Sequence, residues 1–184
     1  MKLNKIAAFS ILNGLILMCL TLAEFLGLMK FGPVLSLQWH KVLHIAGVIL
    51  FIGNMTVGPV WFMFAYYSRD KALLRVACRL LELTDLLITM PGLALTVLNG
   101  LCLASVLGGS RSQPWLFQSD MLLFLMWGLS FPLILLQNRL FRAVEQDDTP
   151  DRKIDRLIIY WGILGTIVMI PPLVIFYLMI VKAV

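Results

Sequence analysis

Charge is scarce in this chain of 184 residues: Asp, Glu, Lys and Arg together make up 14% of it, well below the quarter typical of a soluble domain. That scarcity argues against a water-exposed surface. No phosphate-binding loop, dinucleotide fingerprint or paired nucleophile and base is recognisable, so the common soluble enzyme classes find no support. The three cysteines, Cys19, Cys78 and Cys102, show none of the C-x-x-C spacings of zinc or redox sites and read as small hydrophobes. Histidine occurs only twice, at His40 and His44. Internal repeats and low-complexity tracts are missing as well.

What the chain has is apolar length. Hydrophobic residues are 60% of it and its mean hydropathy is +0.92, which places it in lipid. Its backbone must cross there as helices, because hydrocarbon offers no hydrogen-bond partners, and each crossing takes about 20 mostly apolar residues. Five stretches qualify, at about 6–29, 40–67, 80–107, 116–141 and 157–181. The expected fold is therefore all-α, a single polytopic transmembrane bundle of five spans. The basic, apolar opening resembles a signal peptide, but it offers no clear cleavage site and reads as an uncleaved first span. Prolines 59, 91, 132, 171 and 172 fall inside spans, so spans two to five are expected to be kinked.

The net charge of +5 forms no basic face for nucleic acid; its distribution suits a membrane surface. Of the 15 Lys and Arg, only Lys30, Lys41, Arg111 and Lys182 lie on one side of a five-span layout, leaving 11 on the other. The positive-inside rule then puts the N-terminus in the cytoplasm and the C-terminus outside, in a bacterial inner membrane. Trp39, Tyr66, Tyr67, Trp115, Tyr160 and Trp161 fall near span ends, where amphipathic rings favour the interface. Trp61 and Trp127 lie deeper and are assigned to packing. The segment 68–83 spaces Arg69, Lys71, Arg75 and Arg79 at helical intervals; it reads as an amphipathic helix along the inner leaflet or as a solvated helical loop.

Ionisable groups inside hydrocarbon are costly and call for partners. They fall in two layers. The outer layer holds Glu24, His40, His44, Cys102, Asp120 and Lys182. His40 and His44 share one helix face, a spacing that also serves paired metal ligands, so a zinc or copper site of His40, His44, Glu24 and Asp120 is one reading. One helix cannot offer both histidines to opposite faces of a haem, so His44 would need a different second ligand, such as Met121 or Met179, none, or a second protomer's histidine. The bland reading leaves His40 in the headgroups and His44 bonded to Glu24 or a backbone carbonyl. In the inner layer, Glu82 is expected to pair with Arg79 or to sit as a helix N-terminal charge. Asp85 is the candidate for a buried structural or proton-handling carboxylate. Asn13, Asn54 and Asn99 suit helix bridging.

The runs W39-H-K-V-L-H-I-A-G-V, F51-I-G, D85-L-L-I-T-M-P-G-L and N99-G-L resemble a bacterial family of predicted integral membrane proteins of unknown function. More distantly they are similar to HemJ-type protoporphyrinogen oxidases and to the CopD copper-resistance membrane domain. The resemblance covers about 39–184. The HemJ-type likeness implies b-type haem at the histidine of the K-x-L-H motif, which is His44 here, preceded by Lys41. It also implies a basic residue several positions before the motif's proline, where this chain has Glu82 or Leu83, with Arg79 about a turn too early. An added N-terminal span is a second departure. Three functions are therefore expected: haem b binding or redox work through His44; a non-catalytic packing or assembly subunit, as a homo-oligomer or with a membrane-complex partner; or a copper or other metal permease.

Overall fold

The computed structural model describes residues 4–146 and 148–181. It contains six α-helices: α1 (Lys5–Phe25), α2 (Leu37–Tyr67), α3 (Lys71–Thr84), α4 (Met90–Val106), α5 (Pro114–Glu145) and α6 (Asp151–Val181). A π-helical turn, Asp85–Thr89, joins α3 to α4, so five continuous helices are long and apolar enough to cross a membrane. Lys182 lies outside the described residues.

The local chemistry accounts for the helix boundaries. The Asn4 side chain caps α1 by accepting from the Ala7 amide at 2.7 Å. Asp70 caps α3 through the amides of Ala72 and Leu73. Pro114 opens α5 and Pro150 immediately precedes α6, positions where a missing N–H costs nothing. At the π turn the Met90 amide bonds the Asp85 carbonyl, five residues back. Pro91 follows directly, and a widened turn accommodates a ring that cannot donate to the carbonyl four residues earlier.

The densest packing pairs α2 with α4 and α5 with α6, while α1 lies against α4 and α5. Glycine sets the first pairing. A Cβ added at Gly47 would stand 2.6 Å from the Thr96 amide nitrogen and 2.7 Å from the Gly92 carbonyl oxygen. Backbones that close exchange dispersion contacts which lipid cannot replace. One core cluster, around Phe62, Leu81, Leu140 and Trp161, lies toward the face that carries the N-terminus. A second, around Leu17, Phe51, Val97 and Trp127, fills the middle. Outward-facing residues such as Ile49, Val60, Phe64 and Ile180 are 66–74% exposed, as expected of a surface covered by hydrocarbon.

Two expectations need correction. The segment 68–83 neither lies along a leaflet nor forms a solvated loop; as α3 it extends the third span and buries Leu74, Ala77, Cys78 and Leu81 against α2 and α5. Its amphipathic face is a protein-packing face; Arg75 Nε donates to the Val144 carbonyl of α5 at 3.2 Å, while Arg79 stays exposed. Trp161 is likewise no interface residue: it is 6% exposed, its ring 4.9 Å from that of Phe62. It faces the bundle core, a packing choice that hydropathy does not report.

Candidate functional site

Three polar clusters sit inside the bundle. The first is built on the π turn, which is where single-turn irregularities often carry function. Asp85 Oδ1 accepts from the Thr89 hydroxyl at 3.1 Å and from Asn54 Nδ2 at 3.4 Å, while Oδ2 accepts from Gln137 Nε2 at 2.9 Å. Asn54 also donates to Thr89 Oγ1 at 2.7 Å. Gln137 is held in turn by the Trp161 indole N–H, 3.0 Å from its Oε1. Three neutral donors thus converge on the Asp85 side chain, whose oxygens act as acceptors.

This network opens onto a cavity of about 580 Å³ whose walls come from all five spans. Most of that wall is apolar, with aromatic rings from Phe51, Trp127, Phe131 and Trp161 and thioethers from five methionines. Near the N-terminal face it is bounded by Glu82 and Asn138, which are tied to the start of α1. Asn4 Nδ2 donates to Glu82, and the Asn4 amide donates to Asn138 Oδ1 at 3.2 Å. Glu82 thus takes Asn4 as partner, and Arg79 lies 3.8 Å from Glu145 instead.

The second cluster is the histidine face of α2. His40 is 2% exposed rather than seated in the headgroups, because the segment before α2 folds over it. Its Nε2 accepts from the Leu35 amide at 3.2 Å, and its Nδ1–H donates to Asn99 Oδ1 at 2.8 Å. Both ring nitrogens are engaged. The same segment is stitched to α4 by Ser105 Oγ, 2.5 Å from the Phe31 carbonyl. His44, one turn deeper, donates from Nδ1 to the Thr96 carbonyl at 2.7 Å, which leaves Nε2 with its lone pair. Gly100 supports that ring: a Cβ there would come within 3.2 Å of Cε1.

In the third cluster, Ser110 brings together Glu24 and Asp120. Glu24 accepts from the Ser110 amide at 3.2 Å and from its hydroxyl, and Asp120 also engages Ser110. Gly109, at φ 99°, makes room for the turn, since a Cβ would lie 3.2 Å from Glu24 Oε1. Glu24 and Asp120 are therefore gathered on a loop, while His40 and His44 are turned toward α4. Among the described residues no three His, Cys, Asp or Glu side chains come together to hold a metal ion.

Asp85, Asn54 and Asn99 stand among buried partners, and Asn13 reaches Met90 Sδ at 3.3 Å. Sequence reasoning did not single out Gln137, Thr89 or Ser110. Gln137 carries a trace of signal, as an amide within an otherwise apolar span.

Comparison with curated proteins and with solved structures finds no match. A family model described as predicted integral membrane protein (DUF2269) matches residues 38–183, which leaves α1 outside the matched region. This chain belongs to that family of integral membrane proteins of unknown function.

Proposed function

We propose that this protein holds a b-type haem through His44 and serves a redox role in a bacterial inner membrane. One observation carries the reading: Nδ1 of His44 is committed to the Thr96 carbonyl, which fixes the tautomer that leaves Nε2 as a ligand. Axial and metal-bound histidines are commonly oriented in this way by their other nitrogen. His40 lacks that freedom because both of its nitrogens are occupied. Neighbouring side chains support the same reading. His44 lies between α2 and α4, with exposed Ile45 and Ile49 beside it for an apolar macrocycle and the exposed Lys41 less than one turn away for a propionate. Bound there, haem supplies one-electron chemistry; the chain's own residues set the ring angle through Thr96 and Gly100. The likeness of W39-H-K-V-L-H to the HemJ-type motif points to the same histidine.

The test is a reduced-minus-oxidised absorption spectrum of the purified protein with chemical haem assay. Wild type should show a b-type spectrum, and His44→Ala should lose it. Gly100→Leu, which pushes a side chain into the imidazole, should lose most of it. A wild type that stays colourless after haem supplementation overturns the reading. The polar residues that bridge helices, such as Asn13 and Asn54, favour a second reading as a non-catalytic assembly subunit. A metal permease built on His40, His44, Glu24 and Asp120 gains no comparable support.

The distribution of Lys and Arg supports an N-terminus in the cytoplasm and a C-terminus outside.

A further inference from the structure

The large cavity has an acidic corner and no cation to answer it. Asp85 and Glu82, three residues apart where α3 meets the π turn, both line it, and neither is fully buried. Among the described residues no Lys, Arg or His stands on the wall. The hydrogen bonds that the two side chains accept come from neutral groups: Thr89, Asn54 and Gln137 for Asp85, and Asn4 for Glu82. Two of the three donors to Asp85 reach Oδ1 and one reaches Oδ2. A carboxylate offers about four acceptor positions, so Oδ2 keeps capacity for an occupant. Carboxyl groups inside a membrane usually pair with a cation or mark the path of a ligand or ion; this wall supplies no cation of its own.

We propose that this cavity binds a lipid-soluble amine, whose nitrogen pairs with Asp85 while its apolar body fills the rest of the space. The pair forms from either protonation state. An ammonium meets the carboxylate, or an uncharged amine takes the proton of the carboxylic acid; in both cases an N–H of the cation donates to the carboxylate. The wall selects the body. Beyond the acidic corner it is mostly apolar, with aromatic rings and thioethers that suit adaptable contact. The volume of about 580 Å³ lies in the range of small-molecule sites, far more than a bare metal ion fills. Among the described residues no three His, Cys, Asp or Glu side chains gather to hold such an ion. A phosphatidylethanolamine headgroup is the poorer occupant, since its phosphate would meet two acids and no Lys or Arg on this wall. A free amphipathic amine satisfies both ends of the space. Neither His40 nor His44 lines this cavity, so the inference does not depend on haem.

The test compares naphthylethylamine with naphthylethanol, which keeps the rings and linker and replaces the amine by a neutral hydroxyl. Radiolabelled probe is equilibrated with the full chain in phosphatidylcholine nanodiscs, and partition into empty nanodiscs is subtracted. Wild type should bind the amine saturably and roughly ten-fold more tightly than the alcohol, the difference between a charge-assisted and a neutral hydrogen bond. Asp85→Asn keeps the size of the side chain and removes its acidity. It should bring the two affinities together, while retained binding of naphthylethanol shows that the cavity is intact. A measurement on wild type covers the case of a variant that does not fold. A photoreactive diazirine analogue of naphthylethylamine should cross-link to cavity-lining residues such as Asn54, Thr89 and Gln137, and excess naphthylethylamine should prevent it. Equal affinities in wild type, or an amine preference that survives Asp85→Asn, would overturn the pairing. No saturable binding in wild type, or cross-links confined to outward-facing residues such as Ile49 and Phe64, would overturn the cavity as a site.

Discussion

At the scale of single residues, small side chains decide as much as polar ones. Gly47 is the tightest point of the α2–α4 contact, so Gly47→Ala should destabilise the protein by about 1–3 kcal/mol through overpacking against backbone that cannot retreat. Gly53, nearly two turns along the same helix, has nothing within 4 Å of where a Cβ would stand; Gly53→Ala should stabilise by roughly 0.5–1 kcal/mol from helix propensity alone. Thermal melting of both variants in detergent checks the opposite signs. The sequence made Asp85 conspicuous because a carboxylate deep in an apolar run demands partners. It could not name them, since Asn54, Gln137 and Trp161 come from three other spans and meet Asp85 only after packing. His40 was misplaced for a related reason: its cover is the backbone of a connecting segment, whose path is not encoded in hydropathy.

Among elements, all five spans were legible and their ends less so. Hydropathy reports where the chain is apolar, whereas helices continue past the hydrocarbon wherever capping and packing allow; α5 runs to Glu145 and α6 begins at Asp151, beyond the apolar limits near 141 and 157. The charges at those extended ends are tied together across elements, Lys71 to Asp151 at 2.8 Å and Arg69 to Asp155 at 3.6 Å. Such exposed pairs contribute little each; the apolar face of α3 contributes far more. Leu74, 6% exposed, packs into the core, while its neighbour Leu73 is 37% exposed. Leu74→Ala should therefore cost about 2–5 kcal/mol and Leu73→Ala markedly less, measured by denaturant or thermal unfolding. Similar costs for the two would return α3 to the membrane surface.

For the molecule as a whole, the five spans form one bundle with a polar network near one face and lipid-facing hydrocarbon around it. The orientation proposed above predicts that a cysteine introduced at Asp148, in a protein whose native cysteines are replaced, reacts with a membrane-impermeant maleimide only after cells are opened. One introduced at Ser112 should react in intact spheroplasts. The reverse pattern would invert the topology. One property of the central cavity reaches further. Five of the ten methionines, Met55, Met63, Met90, Met126 and Met169, border it, and oxidation of any of them to the sulfoxide would place a strong dipole in a space walled mostly by apolar groups. The soft side chains that line this space are thus also the ones through which oxidation would change its polarity.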